Sequence, residues 1–242
     1  MSLQIHPRPA DEPAPILVAI GDVHGRLDLL QSLIEKLDKK LKNASVQYIF
    51  LGDYIDRGPN SAGVIDFLLR FQSDHPDTIF LKGNHEEAML DFLAVGEEAD
   101  GWLYWGGEQT LESYGIDPQL SSADLAITQE LLADVLPPEH FSFLMDLKLL
   151  HEDDGYLFVH AGLDPLTKVD EQKAKDLLWI RDAFTEGGEG KFPDHVIVHG
   201  HTPVKRPENK GWRINIDTGA VWSSKLTAVL LGKGQKPKFV ST

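Results

Sequence analysis

The chain has 242 residues, 42% hydrophobic and 25% charged, an ordinary globular mix long enough for a buried core, which excludes a fibrous or disordered chain. Acidic residues outnumber Lys and Arg by 38 to 23, a formal charge of −15, so stable binding to nucleic-acid backbones or anionic membranes is not expected. There is no cysteine, which removes disulfides, thiolate metal sites and cysteine nucleophiles.

Residues 1–15 carry Pro7, Pro9, Pro13 and Pro15 and no apolar core. They read as a disordered, polyproline-like lead-in and not as a secretion signal. No apolar run reaches the roughly 18 residues of a membrane span, and a soluble, cytoplasmic monomer is expected. Residues 16–242 are expected to form one catalytic domain. Its first strand is predicted at 16–20, followed by a helix on which Leu27, Leu30, Leu33, Ile34, Leu37 and Leu41 recur at helical spacing. Strands at 46–51 and 78–81 alternate with helices at 61–71 and 86–95. That alternation implies an α/β fold with parallel strands and right-handed crossovers. Residues 96–150 break the pattern and read as a helical insertion forming one wall of the site, with helical segments at 125–135 and 138–147. Further strands are predicted at 156–159, 195–198, 213–216 and 226–231, with a flexible loop at 187–190.

The chemistry lies where these strands stop. The first ends in Gly21-Asp22-Val23-His24-Gly25 and the second in Gly52-Asp53-Tyr54-Ile55-Asp56-Arg57-Gly58. The third ends in Gly83-Asn84-His85-Glu86, the fourth in His160-Ala161-Gly162 and the fifth in His199-Gly200-His201-Thr202. The carboxyl ends of strands in an open α/β sheet converge on one crevice, so these side chains are expected in a single pocket. Carboxylates, imidazoles and one amide oxygen suit divalent ions of the manganese, iron or zinc kind. A central Asp can bridge two ions about 3.5–4 Å apart, a pair that clamps a phosphoryl group and generates hydroxide near neutral pH. A neighbouring His can protonate the leaving oxygen.

Gly-Asp-x-His-Gly, Gly-Asp-x-x-Asp-Arg-Gly and Gly-Asn-His-Glu, in this order, resemble the phosphoprotein phosphatase family of the metallophosphoesterase superfamily. Within it the chain is similar to the small bacterial and bacteriophage-lambda-type serine/threonine phosphatases and to the bacterial symmetrical diadenosine tetraphosphate hydrolases. The resemblance implies an α/β/β/α sandwich of two mixed β-sheets flanked by helices. It also implies two divalent metal ions, manganese first, with iron or zinc as alternatives. Asp22 and His24 would hold the first, Asp53 would bridge, and Asn84, His160 and His201 would complete the second. His85 would be the general acid, oriented and kept protonated by Asp56. Arg57 would grip phosphate oxygens, and Arg181, in Leu-Leu-Trp-Ile-Arg-Asp, resembles the family's second phosphate-binding arginine. A metal-bridging hydroxide would attack the phosphate directly, without a phosphoenzyme.

The substrate placed first is a phosphoserine or phosphothreonine protein, or a small phosphate ester. A dinucleoside polyphosphate is the alternative, and a metal- and phosphate-binding pseudoenzyme comes third. Asp217-Thr218-Gly219 matches the aspartic protease triplet, but that chemistry needs two such carboxylates face to face and only one copy exists. Gly200-His201-Thr202 lacks the second His of the wider superfamily's Gly-His-x-His, which leaves His199 as a packed residue. Trp102, Tyr104 and Trp105 fit equally a stacking platform for substrate and the core of the insertion.

Overall fold

The computed structural model describes residues 14–42, 44–95, 101–117 and 124–242. The lead-in expected at 1–15 thus falls almost wholly outside the described residues, as do 96–100 and 118–123 of the insertion.

The first sheet has the order β10-β9-β1-β2-β3. In it β1 (Ile16–Ile20), β2 (Val46–Phe50) and β3 (Ile79–Phe80) are mutually parallel. The crossovers between them are α1 (Leu27–Lys40) and α2 (Ser61–Asp74). Two C-terminal strands, β9 (Thr227–Leu231) and β10 (Lys238–Ser241), add antiparallel at the β1 edge. The second sheet runs β4-β5-β6-β8-β7, where β5 (Tyr156–Val159), β6 (Val196–His199) and β8 (Arg213–Asn215) are parallel. Its edges, β4 (Leu150–Asp153) and β7 (Glu208–Asn209), are antiparallel.

The period of two along each strand sorts the side chains into three apolar layers. Val18 and Ile20 of β1 face one way, into a core shared with Leu30, Leu33 and Leu37 of α1 and Val64 and Leu68 of α2. Leu17 and Ala19 face the other way, and meet Ile49, Phe158, Val198 and Val229 between the two sheets. Leu157, Val159 and Ile197 point outward from the second sheet onto Leu177 and Phe184. These lie on α7 (Ala174–Trp179) and α8 (Asp182–Gly187), the helices after α4 (Glu108–Ser113), α5 (Leu125–Val135) and α6 (Pro138–Met145). The layers are therefore helix, sheet, sheet, helix, as the resemblance implied.

Three local differences from the sequence expectation matter. The third helix, α3 (Asn84–Val95), starts at Asn84, two residues earlier than predicted, which places Asn84 and His85 in its first turn. The loop expected at 187–190 begins one residue later, because Gly187 closes α8. Residues 101–113 of the insertion form two helical stretches joined by a kink at Gly106, within a π-helical turn at Leu103–Gly107. There Gly106, at φ 112°, lies so close to the Arg57 backbone that a Cβ would come within 2.7 Å of its nitrogen.

Candidate metal centre

The loops that follow β1 and β2 are zipped together through the backbone. Val23 and His24 N–H both donate to the Asp53 carbonyl, at 3.0 and 2.8 Å, and Gly25 N–H to that of Tyr54 at 2.8 Å. The buried Glu86 carboxylate ties in the third strand end. It accepts N–H bonds from Gly83 (2.9 Å), Asp53 (2.9 Å), Tyr54 (2.7 Å) and Ile55 (3.3 Å). Burial and the Asp53 charge push this carboxyl up to about 7, against those N–H groups.

Making these turns requires backbone that side chains disfavour. Of the seven non-glycine residues with positive φ among the described residues, five belong to the site: His24, Asp53, Asp56, Arg57 and His201. Each costs about 1–3 kcal/mol and persists only where the surroundings over-determine it, a signature of functional loops. Gly52, at φ 101°, passes so close to Gly83 that a Cβ would lie 2.5 Å from its nitrogen.

Asp22, His24, Asp53, Asp56, Asn84, His85, His160 and His201 are all buried, none more than 4% exposed. Two sets of converging ligand atoms share Asp53: His24, Asp53 and His85 on one side, and Asp53, His160 and His201 on the other. Asn84 joins the second, its Oδ1 lying 3.0 Å from His160 Nε2. Asp22 lies beside the second set, its Oδ2 accepting the His201 N–H at 3.0 Å. Its Oδ1 is buried without a partner, and so is His201 Nε2.

These residues fit divalent cations on three counts. The first is the pair of orphaned buried atoms just named, on Asp22 and His201. The second is a confrontation of lone pairs. His160 commits its Nδ1 proton to the Leu51 carbonyl at 2.8 Å, which leaves the Nε2 lone pair facing Asn84 Oδ1 at 3.0 Å and Asp53 Oδ1 at 3.4 Å. The third is protonation. Burial pushes His24 down to about 3 and His201 to about 2, and lowers His160 as well, so all three are neutral imidazoles, the form that ligates. Burial would raise Asp53 too, but His160, His85 and His24 around it hold it below the ordinary carboxylate range.

His85 behaves differently. Burial would lower it, yet Asp53 and the hydrogen bond from Nδ1 to Asp56 Oδ2 (2.6 Å) raise it above an ordinary histidine. Asp56 is itself fixed by Trp102 Nε1 on Oδ2 (2.8 Å) and by the Thr110 hydroxyl on Oδ1 (2.6 Å). Arg57 NH1 donates to His24 Nε2 at 2.8 Å, whose Nδ1 is bonded to Ile55 O, and Arg57 Nε donates to the Trp105 carbonyl at 3.2 Å. Arg181 stands on the other side, with NH1 donating to the His201 carbonyl at 2.8 Å.

All ten residues singled out in the sequence therefore lie in or beside one pocket, with one rearrangement: the tight set around His24 contains His85, where Asp22 was expected. Sequence reasoning gave no role to Glu86 or Thr110, and offered Trp102 as a substrate platform or as core, not as a donor to Asp56. Trp102 is 1% exposed and packs on Phe92 at 5.2 Å, so it is core and not a substrate platform. His199 is buried, pushed down to about 3 by burial and Arg213, and takes a hydrogen bond from Arg213 NH1 at 3.3 Å. It is packed, as expected. Asp217 lies buried near Asp22 and Asp53.

Comparison with known proteins agrees with this chemistry. A bis(5′-nucleosyl)-tetraphosphatase PrpE, labelled asymmetrical, from Oceanobacillus iheyensis is 27% identical over 230 residues, covering 86% of each chain. A metallophosphoesterase structure from Sphaerobacter thermophilus superposes with a TM-score of 0.57 at 17% identity, over 95% of this chain and 88% of that one. A protein serine/threonine phosphatase from Saccharomyces cerevisiae gives 0.57 at 17% identity, over 96% and 81%. At such identity the two structures speak to the fold alone. The calcineurin-like phosphoesterase profile matches residues 16–222. With its sandwich fold and its carboxylate–imidazole pocket, the chain belongs to the calcineurin-like phosphoesterase family and is a metallophosphoesterase.

Proposed function

We propose that the chain hydrolyses dinucleoside polyphosphates, with two divalent ions, manganese first, held on either side of Asp53. The observation that carries the chemistry is the single buried carboxylate shared by two ligand sets. The substrate class rests on the tetraphosphatase relatives, which match over most of both chains. The phosphoserine and phosphothreonine reading that the sequence placed first has the fold of a yeast phosphatase behind it, whereas the tetraphosphatase relatives match in sequence over most of both chains, and it gives way. The relatives' asymmetrical label also shifts the expected products of diadenosine tetraphosphate from two ADP to ATP and AMP.

In this reading Asp22, His24 and Asp53 hold one ion, and Asp53, Asn84, His160 and His201 the other. Bound there, the ions would neutralise phosphoryl charge and make water a nucleophile near neutral pH. The protein supplies the rest. Arg57 and Arg181, on opposite sides of the pocket, orient the phosphoryl oxygens. His85, protonated and aimed by Asp56, delivers a proton from Nε2 to the leaving oxygen. Glu86 holds the Asp53 loop and the Gly83 turn in register, so the bridging carboxylate arrives pre-positioned. Together with Arg57 and Arg181, bound cations would reverse, locally, the field of a chain at −15.

The test is steady-state kcat/KM of manganese-loaded protein on diadenosine tetraphosphate and on a phosphoserine peptide, with product analysis. A preference above about tenfold for the dinucleotide, about 1.4 kcal/mol of transition-state discrimination, with ATP and AMP as products, supports the reading. The opposite preference returns the phosphoprotein reading.

A further inference from the structure

Three of the chain's five tryptophans gather at the mouth of this pocket. Trp179 sits edge-on to His201, with ring centroids 6.3 Å apart, and Trp105 packs edge-on against Trp179 at 5.1 Å. Trp222 is on α9 (Ala220–Ser223), which follows the buried Asp217 and Thr218 in the chain. The Arg57 guanidinium is 5.3 Å from the centre of the Trp222 ring. That same guanidinium donates to His24 and to the Trp105 backbone carbonyl, so one side chain joins the Trp222 ring and the Trp105 backbone to a metal-ligand candidate. Trp222 is 65% exposed and Trp105 43%. The other two tryptophans are accounted for by packing: Trp102 is bonded to Asp56, and Trp212 lies against Phe184 and Arg213.

Wide, exposed indoles beside a phosphate-directed arginine are what a ligand with both a flat aromatic group and a phosphate requires. Indole faces stack on any nucleobase, largely regardless of its identity. A chain that merely needed Arg57 held in place could do so with the Trp105 carbonyl and His24, without leaving two-thirds of an indole in water.

We propose that Trp222 is the nucleobase platform of the site, with Trp105 on the rim, and that a nucleoside phosphate binds with its base on Trp222 and its phosphate against Arg57. The assignment rests on the dinucleoside polyphosphate reading and makes it specific: one nucleoside is held by stacking, without base-specific hydrogen bonds. Substrates that differ only in the base should therefore be accepted alike.

The experiment is equilibrium titration of the manganese-loaded protein with adenosine 5′-monophosphate and, separately, with inorganic phosphate. The wild-type chain should bind the nucleotide more tightly than phosphate. Trp222→Ala should weaken the nucleotide about tenfold and shift phosphate by less than about twofold, while Trp222→Phe, which keeps a face, should retain most of the difference. Equal affinities for nucleotide and phosphate in the wild type would overturn the proposal. So would a Trp222→Ala protein that binds the nucleotide as before, or one that loses both ligands alike, since the indole would then only prop Arg57. Turnover of diadenosine tetraphosphate by the wild type is scored separately. A protein that prefers the nucleotide to phosphate in titration, and loses that preference in Trp222→Ala, but does not cleave the dinucleotide keeps the platform and loses the functional reading. A protein that cleaves it with no loss in Trp222→Ala does the reverse.

Discussion

His85 and His160 stand on opposite sides of Asp53, 1% and 0% exposed, and yet their proton affinities are shifted in opposite directions. On the side of β5 and β6, His160 gives its Nδ1 proton to the Leu51 carbonyl and is lowered, as is His201. On the side of β1 to β3, His85 meets a carboxylate at Nδ1, where His160 meets a carbonyl, and is raised. Desolvation disfavours both imidazolium ions; only an added full negative charge within hydrogen-bond reach outweighs it. In the proposed reading one half of the pocket ligates, and the other both ligates, through His24, and delivers a proton.

That contrast can be broken in graded steps. The largest effect belongs to the residue the halves share. Asp53→Asn should lower kcat/KM on the preferred substrate by about a thousandfold or more, since several kcal/mol of transition-state stabilisation depend on the ions it helps hold. Next, His85→Asn should lower kcat by about 100-fold while metal content, measured by plasma emission, stays that of the wild type. The same substitution at His160 should instead lower metal content. Trp102→Phe keeps the ring in its core position but removes one of three hydrogen bonds to Asp56. A loss of about fivefold in kcat is expected, a fraction of the full general-acid contribution, together with about 1.5–3 kcal/mol of stability in a denaturant titration. Smallest of all in activity is His199→Leu, two residues before a ligand. It removes one of the two acceptors of the buried Arg213, Glu208 being the other, and should cost about 1–3 kcal/mol of stability, with kcat within about twofold of the wild type.

The site was legible because its residues sit where apolar runs stop. The runs at β1, β2 and β5 each end in polar residues at the carboxyl edge of a strand, and parallel topology does the converging. What the sequence hid was the support. Trp102 and Thr110 reach Asp56 across 46 and 54 residues, from a helical insertion whose glycines carried no clear periodicity, and no local pattern states which carboxylate such donors will find. Elements held by tertiary contact were equally hidden. The helices α7 and α8 have six residues each, too short to stand alone, and exist because Leu177 and Phe184 seat on the second sheet. The outer strand β10, Lys-Phe-Val-Ser with two exposed residues, is fixed by its pairing with β9 and not by its own composition. The charge of each histidine was likewise outside the reach of spacing, since it depends on whether a carbonyl or a carboxylate meets the far nitrogen.

The account turns on Asp53 serving two ions at once, and metal stoichiometry reads that directly. Manganese-loaded wild-type protein and His85→Asn should each retain two ions per chain after gel filtration, and Asp53→Asn no more than one. A wild-type chain that holds a single ion, or an Asp53→Asn chain that still holds two, would contradict it.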